Sequence, residues 1–198
     1  MPFTLAILAT ILAYTWILEP LGIPVAAPAG AVVVLAAWSG LRTRTLGLSL
    51  KELIPATKAA VLFTLPAVLA VLAAGFARGT LHDPGSLLER LAVLLPWGGA
   101  QQWVLQTVVL REARQRTSPV TSIVIAACLF AILHLPNPLL TLMTLIGALA
   151  WCAIFMRHPN LVPLACSHAV ATLALLCAFD DGVTGRLRIG AAYLMLHK

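Results

Sequence analysis

Apolar runs about as long as a bilayer is thick recur along the whole chain, separated only by short polar connections. A transmembrane helix needs about 20 consecutive apolar residues. Seven stretches qualify on that ruler: Phe3 to about Leu18, Gly22 to about Trp38, about Ala59 to Ala77, about Leu91 to Leu110, about Val120 to Leu135, Leu139 to Met156, and Leu161 to Phe179. Of the 198 residues, 61% are hydrophobic and 10% charged, with mean hydropathy +0.97. A soluble domain would be roughly 45–50% apolar and about 25% charged. A water-facing globule of this length cannot bury so much apolar surface. The expected fold is therefore all-α, a polytopic transmembrane helical bundle of about seven spans.

The punctuation between the runs gives the topology. Glu19-Pro20 separates the first two spans as a tight hairpin. Leu46 to Ile54 reads as a short interfacial helix with Ser49 as its N-cap, and Pro66 as a kink in the third span. Asp83-Pro84-Gly85 is a turn signal, and Pro96-Trp97-Gly98-Gly99 interrupts the fourth span. With the N-terminus inside, the inner connections carry Arg42, Arg44, Lys51, Lys58, Arg111, Arg114, Arg116 and Arg157. The outer ones carry Arg78 and Arg90, with Arg186, Arg188 and Lys198 in the tail. The basic excess favours a cytoplasmic N-terminus. The alternative has one span fewer, with the first hairpin re-entrant. No repeat or low-complexity linker marks a boundary, so residues 1–198 read as a single integral-membrane domain. The net charge of +6 resides in residues that orient spans, which makes the lipid bilayer the partner rather than nucleic acid. Cys128, Cys152, Cys166 and Cys177 all fall in apolar runs without a Cys-x-x-Cys, and read as small buried hydrophobes. Met1-Pro2-Phe3 lacks the basic start of a cleavable signal, so the first run is kept as a span.

Polar side chains within such spans are expensive and mark functional positions by default. Three groups stand out. Gln101, Gln102 and Gln106 lie on the fourth span, with Gln102 and Gln106 one turn apart on a shared face. Their amides fit either interhelical hydrogen bonding or a polar cavity. His134 follows Phe130 by one turn and precedes Pro136-Asn137-Pro138. It fits an imidazole satisfying carbonyls where the helix ends, or one facing a cavity as ligand, proton relay or oxyanion donor near pH 7. His168 lies well inside the seventh span, with Thr172 a turn away. Two intramembrane histidines on separate helices suit a metal or hydrolytic site, although their spacing matches no soluble zinc motif. His82, His158 and His197 fall in connections or the tail and receive no role, and Glu112 and Arg116 read as an i,i+4 pair.

In order and spacing these groups resemble the CPBP family, the CAAX-protease and bacteriocin-processing intramembrane proteases. Its pattern is Glu-Glu-x-x-x-Arg, then Phe-x-x-x-His, then His-x-x-x-Asn or a small residue. Here Phe130-x-x-x-His134 matches the second element, and His134-Leu-Pro-Asn-Pro is a frequent continuation in bacterial members. His168 matches the third, with Pro163 where that helix usually opens. The resemblance covers about residues 85 to 180. It implies an intramembrane endopeptidase, a hydrolase of membrane-associated peptides or proteins in a bacterial inner membrane. Gln101, Gln102, His134 and His168 would occupy its catalytic positions, and Gln106, Phe130, Asn137 and Thr172 supporting ones. His134 and His168 would hold any divalent metal, zinc being the one expected of a metalloendopeptidase.

The sequence departs from the pattern in one coordinated way. Gln101 and Gln102 stand where the glutamates belong, Gln106 where the arginine belongs, and Thr172 where the asparagine belongs. Glutamine matches glutamate in shape but accepts no proton at useful pH, so it is no general base. An unpaired buried guanidinium would be costly once the carboxylates are gone, which makes three glutamines a consistent neutral set. Glu89 and Glu112 are each about three turns from Gln101 and offer no substitute. Either histidine could act as base. The alternative implication is a non-catalytic pseudoprotease that binds a membrane peptide or partner protein.

Overall fold

The computed structural model describes residues 1–43 and 46–196. Arg44, His197 and Lys198, which figured in the sequence reading, lie outside the described residues. The described residues form an all-helical protein, and the only extended pairing among them is a single bridge between Leu48 and Asn160. The helices are α1 (Pro2–Ala13), α2 (Ala26–Thr43), α3 (Leu53–Arg78), α4 (Leu87–Val104), α5 (Arg111–Arg114), α6 (Pro119–Ile132), α7 (Pro138–Arg157), α8 (Leu161–Ala178), α9 (Asp181–Thr184) and α10 (Gly190–Met195). Two π-helical segments, Tyr14–Leu18 and Leu105–Leu110, continue α1 and α4. The segments Leu50–Arg78, Pro138–Arg157 and Leu161–Ala178 are each long and apolar enough to cross a membrane, and Pro2–Leu18, Ala26–Arg42 and Pro119–Ile132 are shorter apolar helices.

The elements fall into two compact units. One comprises Met1–Leu46, Val104–Cys152 and Leu187–Lys198. Its core includes Ile7, Leu105, Val108, Leu110, Ala126, Ala127 and Ala148. Glu112, 6% exposed, takes part in assembling it: its carboxylate receives the amides of Phe3 at 3.3 Å and Thr4 at 3.0 Å. The first N–H groups of a helix have no partner within it and carry partial positive charge, so a carboxylate there both satisfies and neutralises them. The i,i+4 pairing read for Glu112 and Arg116 is therefore superseded by a cap across the unit. Next to it, Arg111 donates to Ser39 Oγ at 2.5 Å. Burial lowers the Arg111 pKa, and the adjacent Glu112 carboxylate works against that shift.

The other unit comprises Gly47–Trp103 and Ala153–Arg186, and its backbone is the pair α3 and α8. Ala56, Ala60 and Thr64 are buried on α3 at intervals of four residues. Such a small-residue stripe lets helix backbones approach closely, which is how helices associate in lipid. Gly75 extends the approach: a Cβ there would sit 2.5 Å from the Ala178 carbonyl oxygen. Before α3, the interfacial helix read over Leu46–Ile54 is only a 3-10 turn, Leu50–Glu52, running straight into α3. Ser49 does occupy the N-cap position of that turn, but without a side-chain cap bond. The strand-like stretch around it is held instead to the start of α8. Asn160 caps α8 by accepting from Val162 N, and its Nδ2 donates to the Ser49 carbonyl at 2.9 Å.

One helix break differs from the reading: α4 continues through Pro96-Trp97-Gly98-Gly99, and α3 likewise runs on through Pro66. Gly98 and Gly99 face α8, where Cβ atoms would make ordinary contact with Ala165 and His168 at 3.4–3.8 Å. The interruption comes later, in the π-helical Leu105–Leu110. All four cysteines are free, as expected, but only Cys152 is buried. Cys128 and Cys166 lie on exposed faces and Cys177 is half-buried.

Candidate functional site

Each polar position singled out by the sequence has a definite setting. Gln102 on α4 is fully buried, and its Nε2 lies 3.4 Å from Nδ1 of His168 on α8, which is 7% exposed. Gly98, one turn before Gln102, packs beside the imidazole: a Cβ there would sit in van der Waals contact, 3.4 Å from His168 Cβ and Cγ. The ring is held from below as well. Ser167, its neighbour, shares a 2.5 Å hydroxyl–hydroxyl bond with Thr64 on α3, and Thr64 donates to the Ala60 carbonyl. Thr172 is half-buried on α8.

With the Gln102 amide nitrogen facing it, His168 Nδ1 is the acceptor, because the amide lone pair is delocalised into its carbonyl and the NH2 group only donates. The neutral ring then carries its proton on Nε2. Gln101, the preceding residue, is half-buried, and its Oε1 is a buried acceptor with no hydrogen-bond partner among the described residues.

Gln106 occupies a different environment. The α-helical period ends at Val104, and Gln106 lies in the π-helical Leu105–Leu110. A π turn inserts about one residue per turn, and such turns often occur at functional positions. Gln106 is buried and hydrogen-bonds Cys152 on α7.

His134 lies just beyond the end of α6. Its Nδ1 is 2.8 Å from the Phe130 carbonyl oxygen, and its ring meets the Phe130 ring edge-on at 4.9 Å. A carbonyl only accepts, so Nδ1 carries the proton and Nε2 keeps a lone pair. The spacing Phe-x-x-x-His thus has a local meaning, since Phe130 supplies both the carbonyl that fixes the tautomer and the ring that flanks it. Asn137 is fully buried; its Oδ1 accepts from Leu140 N at the start of α7, and its Nδ2 donates to the Arg188 carbonyl at 3.1 Å.

Zinc takes three or four nitrogen, sulfur or oxygen donors at about 2.0–2.3 Å. No three His, Cys, Asp or Glu side chains converge among the described residues, and the neighbour of His168 is an amide.

Sequence reasoning assigned no role to Thr64 or Ser167 and missed the capping role of Glu112. The four-residue repeat of small residues on α3 was a readable signal for the first; a cap formed across more than a hundred residues leaves no local signal for the last.

Residues 83–174 match the family model of type II CAAX prenyl endopeptidase Rce1-like proteins. The match spans Gln101, Gln102, Gln106, Phe130, His134, Asn137, His168 and Thr172, and bears out the resemblance read from the motifs. No curated protein and no solved structure matches the chain. The long apolar helices and the match to a membrane protease family together make this an integral membrane protein.

Proposed function

We propose that the chain is an intramembrane endopeptidase of the CAAX-protease type, acting on a membrane-associated peptide or protein, with an imidazole in place of the missing glutamate base. The observation carrying this reading is the opposite placement of protons on the two histidines. His134 commits Nδ1–H to the Phe130 carbonyl and retains a basic Nε2. His168 receives Gln102 at Nδ1 and retains a donor Nε2–H. Hydrolysis of a peptide bond needs one of each.

In this mechanism His134 Nε2 takes a proton from water as the water oxygen bonds to the scissile carbonyl carbon. The carbonyl electron pair moves onto oxygen, giving the tetrahedral oxyanion. Collapse of the tetrahedral intermediate re-forms the carbonyl and breaks the C–N bond, and the leaving amine takes the proton from His134. Support for the reading is the chemistry of His134 and the inclusion of both histidines in the family match. The basic connections favour a cytoplasmic N-terminus, and the His134-Leu-Pro-Asn-Pro continuation favours a bacterial inner membrane.

A second reading, peptide binding without hydrolysis, is favoured by Gln101. Its buried, unpartnered Oε1 would be satisfied by an N–H of a bound peptide, and it can take no proton. The test is cleavage of a reporter peptide library by the purified protein in liposomes, with His134→Ala, His168→Ala and Gln101→Glu/Gln102→Glu alongside. Cleavage by the parent that either histidine change abolishes supports the endopeptidase. Cleavage only by the glutamate-restored variant supports the binding protein. No cleavage by any variant, and no peptide retained, refutes both.

A further inference from the structure

The turn that carries His134 is closed on one side by its own backbone and on the other by the end of the chain. Within the turn, Asn137 N donates to the His134 carbonyl at 3.1 Å and His134 N to the Ala131 carbonyl at 2.9 Å. The outward groups of the turn are taken by the segment leading into α10. Gly190 N donates to the Leu135 carbonyl at 2.8 Å, and Asn137 Nδ2 donates to the Arg188 carbonyl at 3.1 Å. The segment is fastened in turn to the π-helical end of α1. Arg188 pairs with Glu19 at 3.3 Å, and Gly190 lies so close to Thr15 that a Cβ would stand 2.5 Å from the Thr15 carbonyl oxygen. Gly190 also has φ +58°, a conformation that glycine adopts without strain.

The bonding is selective. Apart from its end-on hold by Phe130, the His134 ring gets its direction from a backbone turn lying past the last residue of α6, where helical hydrogen bonds no longer fix it. The fully buried Asn137 divides its two amide atoms between α7 and the C-terminal segment, so that a single side chain ties helix, turn and tail together.

We propose that the segment Arg188–Met195 is a strap that positions His134, with Asn137 and Gly190 as its positioning residues. The proposal rests on the reading of His134 as a working imidazole, but its test does not need a substrate. An error of about 1 Å in such a group can cost about 10²-fold in rate. The chain's end would then set the activity of a residue more than fifty positions before it.

The experiment is nitrogen NMR of the full chain in nanodiscs with isotope-labelled histidine rings, His134→Ala giving the assignment. Gly190→Ala forces the strap away from Thr15, and Asn137→Ser keeps an acceptor for Leu140 N while removing the donor to Arg188. The milder serine change serves if the alanine variant does not fold. In either variant the single Nδ1–H signature of His134 is expected to give way to a mixture of both tautomers. The His158 and His168 signals should remain as in the parent, showing that the rest is folded. A folded variant whose His134 signature equals the parent's overturns the strap. If reporter cleavage is detected, the same variants should lose about ten-fold or more in kcat with KM little changed. A shifted ring signature in a protein that cuts nothing leaves the strap standing and removes only the peptidase reading.

Discussion

Gln102 on α4 presents its amide nitrogen to Nδ1 of His168 on α8 at 3.4 Å, both side chains being buried. In a charged version of this arrangement a carboxylate would accept a proton from that nitrogen. The amide reverses the direction of the bond and with it the position of the ring proton.

Gln102→Glu should therefore move the His168 proton from Nε2 to Nδ1. Ring nitrogen NMR of the labelled protein reads this directly, and an unchanged Nε2–H signature would sink the assigned role of Gln102. If the restored carboxylate also acts as base, cleavage should rise by about 10²–10⁴-fold in liposomes, the usual worth of a positioned base.

The Thr64–Ser167 bond should matter to stability and to His168 together. Interhelical hydrogen bonds in membranes are worth about 0.6 kcal/mol on average, up to about 1.7. Thr64→Val, equal in shape but without the hydroxyl, should cost about 1 kcal/mol in reversible unfolding from mixed micelles, while Thr64→Ser should cost much less. Equal losses for both would show that the methyl group, not the bond, is what α3 contributes.

Gly75→Ala should be among the most damaging single-methyl additions in this unit. The new Cβ meets the Ala178 carbonyl oxygen, Cα and Cβ at 2.5–2.8 Å, and two of these are main-chain atoms that cannot rotate away. Overpacking of this kind costs about 1–3 kcal/mol. Gly79→Ala, one turn later with nothing within 4 Å of the added carbon, is the comparison: its cost should come only from φ +67°. A smaller loss at position 75 than at 79 would contradict the close approach of α3 and α8.

Glu112→Gln keeps the shape and the acceptor oxygen but loses the charge and one of two acceptors. Loss of an N-terminal cap costs about 0.5–2 kcal/mol. Faster hydrogen exchange should appear at the Phe3–Thr4 amides before it appears in α6. Unaltered exchange there would mean that the carboxylate is not what holds the first turn.

Much of this was legible in the chain itself, for reasons that differ by residue. Long apolar runs gave an all-helical membrane protein because bilayer thickness is a fixed ruler, and the family match over residues 83–174 agrees with the motif spacing of Phe130, His134 and His168. The glycines at 98 and 99 misled, because a residue that breaks helices in water can equally mark where two helices touch. The π-helical turn left no mark in the pattern: spacing arguments assume an α-helical period, and Leu105–Leu110 does not keep it. Partnerships such as Asn137 with Arg188 join positions far apart in sequence and leave no local pattern to read.

The cap that Glu112 places on Phe3 and Thr4 also has a schedule. The carboxylate is made more than a hundred residues after the amides it serves, when α1, α2 and α3 have already left the ribosome. Until then those amides have only water to bond, and water is scarce in the bilayer core. The beginning of α1 should accordingly wait at the wet surface of the membrane, and α1 is made well before the residue that seats it.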